Sequence, residues 1–178
     1  MKLGKWNASS NYYNFWKDYY QGIRSATFFM NNIDGNEEIL AEAGQELIDQ
    51  YKAEARFLRA FYYFNILRQY GPFIILGDDV IPGDLPSNDH AMNKPRSTYD
   101  ECVAYIEQEL DWAANDLPLH FAEQKKTDYG RATKSMCLLV KAWMRRNTGT
   151  HPLRGYPMHG KFRTPRALHP QHPTKNLQ

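Results

Sequence analysis

The sequence has few cysteines, only Cys102 and Cys137 in 178 residues. Two cysteines so far apart offer neither the close spacing of a zinc site nor a disulfide framework. Both fall in segments with helical periodicity, and an unpaired cysteine packs as a small apolar side chain. We therefore predict two buried free thiols.

Long hydrophobic runs are also missing. No segment approaches the roughly 18–20 apolar residues that a membrane-spanning helix needs. The first ten residues, MKLGKWNASS, carry charge but no apolar core of the kind found in a signal peptide. Neither a membrane span nor a signal peptide is predicted in the chain as written.

Acidic residues are absent from Arg145 onward, and this stretch includes seven basic residues. Residues 1–144 hold the other 15 basic and all 20 acidic side chains, a net charge of −5. A nucleic-acid surface needs a basic face that displaces counterions, so we expect no nucleic-acid partner. The C-terminal segment is rich in proline and histidine and has no helical or strand period. We predict a domain over 1–147 and an irregular or disordered basic tail over 148–178, for which a frameshifted or foreign origin is one hypothesis.

Motifs for catalysis are missing as well. The sequence has no G-x-S-x-G, no phosphate-binding loop and no cysteine with a plausible histidine partner. Four of the six histidines lie in the tail without the spacing of metal ligands, and the acidic residues of 77–97 lack the calcium-loop pattern. We assign no catalytic residue and no metal ligand, and we predict that the protein is not an enzyme.

Helical periodicity is what the chain does have. The apolar spacing predicts four helices, running from about Tyr12 to Asn32, from Glu37 to Tyr70, from Thr98 to Pro118 and onward from near Arg131. Thr98 and Glu101 fit a capping box at the start of the third helix. The second helix is predicted as one continuous stripe that includes Gly44. From Phe57 onward it is apolar around most of its circumference, which indicates burial on several sides.

The same helix mixes aromatic residues with Arg56 and Arg59. We expect both arginines to lay their stems on aromatic neighbours and to direct the guanidinium groups to carboxylates or helix-end carbonyls. A ligand-binding surface is the alternative, but so many core-type aromatic residues favour structural arginines.

Aromatic and amide side chains also occur together near the N-terminus. An aromatic ring face stacks on the C–H groups of a sugar while amides bind its hydroxyls. The predicted ligand-binding residues are Trp6, Asn7, Tyr12 and Tyr13. Helix packing is the alternative for this cluster, and it is the preferred interpretation for Trp16.

Four blocks of sequence resemble the SusD/RagB family of nutrient-binding lipoproteins. The family signature resembles the stretch AEARFLRAFYYFNILRQYGPFIIL. Three further family blocks resemble YYQGIRSATFFMNNI, RSTYDECVAYIEQELDWAANDLP and GRATKSMCLLVKAWM. Together the four blocks cover roughly residues 12 to 143. The resemblance implies an all-α fold of tetratricopeptide-like helical hairpins at the outer-membrane surface. It also implies binding of an oligosaccharide or polysaccharide, without catalysis or a required cofactor, and partnership with a SusC-like TonB-dependent transporter.

The chain departs from that family in length and in its start. Family members are several times longer, and no cysteine precedes Cys102 that could carry a lipid anchor. We therefore expect an N-terminal fragment. A generic tetratricopeptide-like interaction module is the alternative, because the third and fourth helices start about 33 residues apart, near the repeat length of 34. A glycan-active enzyme is the third possibility considered, and no residue supports it.

Overall fold

The computed structural model describes residues 14–81, 93–120 and 128–148, and the regular elements in these ranges are helices. They are α1 (Trp16–Asn32), α2 (Glu37–Tyr70), α3 (Tyr99–Asp116) and α4 (Lys134–Thr148). The all-α prediction is confirmed. α4 begins at Lys134 rather than near Arg131. The tail predicted over 148–178 lies outside the described residues, apart from the backbone of Thr148.

The helix ends follow local sequence signals. At α3 the hydroxyl of Thr98 accepts from the backbone N–H of Glu101 at 3.3 Å, and the Glu101 carboxylate accepts from the Thr98 N–H at 2.7 Å. These hydrogen bonds lower the pKa of the Glu101 carboxyl below its usual value. α2 ends at Gly71, whose φ of 76° suits a residue without a Cβ. The predicted capping box and the predicted bounds of α2 are both confirmed.

α2 is interrupted at Gly44, so the prediction of one continuous helical stripe is wrong. Gly44 has φ 74° and ψ −172°, which is not helical. No heavy atom lies within 4 Å of the place a Cβ would occupy. The backbone angle, and not crowding, therefore favours glycine here, because other residues pay a steric cost at positive φ.

α2 is the central helix, with α1 packed on one side and α3 on the other. Its C-terminal half is buried around most of its circumference, as predicted, and its buried residues include Phe57, Ala60, Tyr63, Phe64, Ile66 and Leu67. α3 and α4 complete the same core with residues such as Ile106, Leu110, Cys137 and Met144. The close approach of α1 depends on Gly22, where a Cβ would stand 2.5 Å from the ring of Tyr62. None of the described helices combines the length and the apolar character needed to cross a bilayer.

Both cysteines are free and buried, which confirms that prediction. Burial raises the pKa of the Cys102 thiol above its usual value and that of Cys137 to about 11. The thiolate is the reactive form, so protonated thiols in a packed core should resist alkylation. We expect neither cysteine to react with DTNB at pH 8 in the folded protein and both to react in concentrated urea. Rapid labelling of either thiol without denaturant would contradict this burial.

Candidate functional site

The four predicted ligand-binding residues, Trp6, Asn7, Tyr12 and Tyr13, lie outside the described residues. The described chain begins immediately after them, close to the start of α1. Among the described elements, α1 lies nearest to them in the sequence, and it forms a concave surface with the segment 71–81 that follows α2.

The segment after α2 has no regular secondary structure at 73–76 and is held by side chains of α1 and α2. The hydroxyl of Tyr20 donates to the carbonyl of Ile74 at 3.1 Å and accepts from the Ile74 N–H at 3.0 Å. The hydroxyl of Tyr63 accepts from the N–H of Leu76 at 3.2 Å. Burial raises the pKa of both tyrosines, so both hydroxyls stay protonated at neutral pH. These contacts supply the hydrogen bonds that a neighbouring strand would otherwise give.

Cys102 and Ser97 hold the start of the same segment. The Cys102 sulfur accepts from the Phe73 N–H at 3.4 Å, and its S–H donates to the Phe73 carbonyl at 3.7 Å. The Ser97 N–H also donates to that carbonyl, at 2.9 Å. The Phe73 ring is fully buried and stacks on Tyr63 with 4.6 Å between centroids. Phe73 therefore anchors the segment 71–81, which contributes residues to the two concave surfaces described next.

The first surface, here called the α1 groove, has a volume of about 350 Å³. It lies between α1 and the segment after α2, and its lining includes Trp16, Lys17, Tyr20, Arg24, Asp79 and Ile81. Trp16 is half-buried, and Arg96 lies over its ring at 5.0 Å while Tyr70 meets it edge-on at 5.3 Å. These contacts confirm the packing interpretation of Trp16. The groove begins a few residues after the predicted ligand-binding residues.

Arg59 and Glu109 form a buried ion pair. The Nε of Arg59 donates to one Glu109 oxygen at 2.7 Å, and a terminal nitrogen donates to the other at 2.9 Å. Each side chain is 1% exposed. Burial alone would lower the pKa of Arg59, but the hydrogen bonds and negative charge of Glu109 raise it above its usual value. The pair joins α2 to α3, and its chemistry is structural because solvent does not reach it.

The remaining contacts of Arg59 connect α2 to α1 and to the segment 71–81. Its other terminal nitrogen donates to Thr27 of α1 at 3.1 Å and to the carbonyl of Gly77 at 3.0 Å. The same nitrogen forms an ion pair with Asp78 at 2.8 Å. Arg56 donates to the same carboxylate, Glu109, at 2.9 Å. The predicted structural role of both arginines is confirmed by these contacts.

The second surface, here called the Trp112 cleft, has a volume of about 400 Å³. It lies between α2 and α3, and its lining includes Asp49, Lys52, Arg56, Trp112, Asn115 and Asp116. The Arg56 guanidinium lies over the Trp112 ring, 5.0 Å from its centroid. Sequence reasoning did not single out Trp112 or Glu109. A buried carboxylate at Glu109 could have been predicted, because Glu109 lies beside Ile106 and Leu110 in the predicted buried stripe of α3.

In the part of the chain that the structure describes, no three histidine, cysteine or acidic side chains are grouped as metal ligands. The exposed lining of the α1 groove is almost entirely apolar, whereas the Trp112 cleft combines an aromatic ring with hydrogen-bonding groups. This combination suits the binding of a polar organic molecule with apolar ring faces.

Comparison with known proteins gives consistent matches. The model of the family SusD-like_3, described as "Starch-binding associating with outer membrane", matches residues 3–143. SusD-like protein P25 of Formosa agariphila is 29% identical over 133 residues, which are 71% of this chain and 22% of that protein.

Solved structures show the same helical fold. The structure named BT4246 superposes with a TM-score of 0.68 at 32% identity over 80% of this chain and 22% of its own. A SusD-like carbohydrate binding protein from Bacteroides fragilis superposes with a TM-score of 0.64 at 24% identity over 76% of this chain and 24% of its own. The chain thus spans about a quarter or less of the length of these proteins.

Proposed function

The chain belongs to the SusD-like family, and from this premise we propose that it is the N-terminal helical part of a non-catalytic glycan-binding protein. The observation that carries the proposal is the match of residues 3–143 to a family described as starch-binding and outer-membrane-associated. The small share of each relative that the chain spans supports the idea of a truncated protein. The tetratricopeptide-like hairpins would then serve mainly as a rigid scaffold that presents binding residues on loops.

The same proposal places the protein at the cell surface, on the outer membrane, beside a SusC-like TonB-dependent transporter. The family description supports the membrane association. Co-purification from outer membranes with the transporter encoded nearest to its gene tests the partnership. Recovery of the chain without any transporter would refute it.

We propose that Trp6, Asn7, Tyr12 and Tyr13 contact the glycan. Their chemistry supports this role, because ring faces stack on sugar C–H groups and the amide binds hydroxyls. Their place in the sequence, just before the α1 groove, supports it as well. The segment 71–81 that lines the groove is held by hydrogen bonds to Tyr20, Tyr63 and Cys102, so little ordering would be needed on binding.

Replacing Trp6 with alanine is expected to weaken glycan binding by at least about fivefold, since one stacking platform is lost. Affinity gel electrophoresis with soluble starch, laminarin and xyloglucan measures the change as reduced retardation. Trp143→Ala is the matched control, because Trp143 of α4 is 42% exposed and packs against Arg68 and Phe64 of α2. If each glycan that slows the unmodified protein in the gel slows the Trp6 variant equally, Trp6 does not contribute to glycan binding.

A further inference from the structure

We propose that the Trp112 cleft is a second carbohydrate subsite, which binds a neutral pyranose ring of the same class of ligand. The inference takes its ligand class from the proposed function. It concerns a different surface, since the cleft and the α1 groove share no lining residue.

Trp112 supplies a stacking platform in this cleft. The side chain is 45% exposed, although the buried face of α3 is made by other residues such as Cys102, Ile106 and Leu110. The guanidinium of Arg56 lies over the indole, and the Glu109 carboxylate fixes that guanidinium at 2.9 Å. Because the Arg56 contact already restricts the Trp112 side chain, this side chain loses little conformational entropy when a sugar stacks on it. Most of the stacking free energy then contributes to binding.

The polar groups around Trp112 provide both donors and acceptors. Asp49 is positioned by Gln45, whose amide donates to it at 2.9 Å, and Lys52 is positioned by Asp34 at 2.7 Å. Asn115 and Asp116 lie at the end of α3 and line the same cleft. A sugar hydroxyl both donates and accepts hydrogen bonds. Protein groups that include donors and acceptors therefore satisfy it better than donors alone or acceptors alone.

The charges of the cleft disfavour an anionic occupant. Both cationic groups that line it are already paired with carboxylates, Lys52 with Asp34 at 2.7 Å and Arg56 with Glu109 at 2.9 Å. The carboxylates of Asp49 and Asp116 line the cleft as well. A neutral sugar avoids the repulsion that an anionic one would meet, and its hydroxyls can donate to these carboxylates. The volume of about 400 Å³ lies at the low end for ligand pockets, which suits one or two sugar rings.

Fluorine NMR of the full chain labelled with 5-fluorotryptophan tests the proposal. The protein has four tryptophans, so the spectrum reports on each surface separately, and Trp112→Phe assigns the resonance of interest. Maltohexaose, laminarihexaose and a xyloglucan oligosaccharide are titrated to millimolar concentration. We expect at least one of them to shift the Trp112 resonance with saturation, while the Trp143 resonance stays unchanged.

Asp116→Ala provides the second arm. Loss of one hydrogen-bonding group should raise the dissociation constant read from the Trp112 resonance by about fivefold. Asp111→Ala is the matched control on the same helix, because Asp111 pairs with Lys141 and does not line the cleft. That control should leave the constant unchanged.

The outcomes separate the two proposals. Shifts of Trp6 or Trp16 without any shift of Trp112 would leave the proposed function standing and overturn the second subsite. A saturating shift of Trp112 that both aspartate variants leave unchanged would overturn the assignment of the polar groups. No shift of any resonance with any of the sugars would overturn both proposals.

Discussion

Replacing Glu109 with alanine is expected to lower the free energy of unfolding by about 3–5 kcal/mol, because it leaves a buried guanidinium without its main partner. Urea denaturation followed by circular dichroism measures the loss. A change of this size is a large part of the stability of an ordinary small domain. The variant is therefore expected to be partly unfolded at physiological temperature.

The size of the effect follows from the geometry around Arg59. Two hydrogen bonds, at 2.7 and 2.9 Å, join it to Glu109 in a place that solvent does not reach. Without Glu109, its remaining carboxylate partner would be Asp78, whose side chain is 67% exposed. A solvated carboxylate compensates a buried charge poorly, since water screens the interaction.

Asp111→Ala is the matched control for this prediction. Asp111 is an acidic residue of the same helix and pairs with Lys141 at 2.6 Å, but it is 60% exposed. Its loss should cost about 1 kcal/mol or less. Replacing both buried partners, as Arg59→Met with Glu109→Leu, should cost less than Glu109→Ala alone because no fully buried charge is left unpaired. Arg56 and Asp78 also lose a partner in this double variant, but solvent reaches both side chains. Equal losses for Glu109→Ala and Asp111→Ala would show that the buried pair contributes nothing special.

The helices could be predicted from the sequence because their signals are local. Glycine followed by proline ends α2, and the Thr98 hydroxyl with the Glu101 carboxylate starts α3. The interruption at Gly44 could not be predicted in this way. A glycine within a helical period is compatible with a regular helix, and its backbone angles depend on how the flanking turns pack.

The partners of the buried arginine were predicted only as a class. Arg59 was expected to meet a carboxylate, but Glu109 lies 50 residues away in the sequence. Nothing local distinguishes it from the other acidic residues of α3 except its place beside the apolar stripe. Contacts at such separation depend on how the helices pack against one another, and a single sequence does not report that.

The concave surfaces were the least predictable feature. Trp112 and Trp143 are both tryptophans in helices and both lie under an arginine. They differ in their neighbours, since Trp112 lines a cleft with carboxylates and an amide. Such a difference arises from tertiary packing. Composition could indicate sugar-binding residue types but could not place them on these surfaces.

Replacing Phe73 with alanine is expected to cost about 3–5 kcal/mol, the range for truncating a buried phenylalanine. Its side chain is fully buried and stacks on Tyr63. Thermal denaturation should show a correspondingly large fall in Tm. Phe28→Ala is the matched control, because Phe28 is 55% exposed on α1 and its truncation creates no cavity.

The same variant also separates packing from binding. Phe73 anchors the segment that lines both surfaces through Leu76, Asp78 and Asp79. If the lost packing leaves a dry cavity, benzene should raise the Tm of the Phe73→Ala variant and not that of the unmodified protein, since a ligand that binds only the folded state stabilises it. The Phe73→Ala variant should bind glycan more weakly, because the segment 71–81 is less well ordered in it. Its glycan affinity should recover in part when benzene fills the cavity. A variant that keeps its Tm within the range of Phe28→Ala would contradict the anchoring role of Phe73.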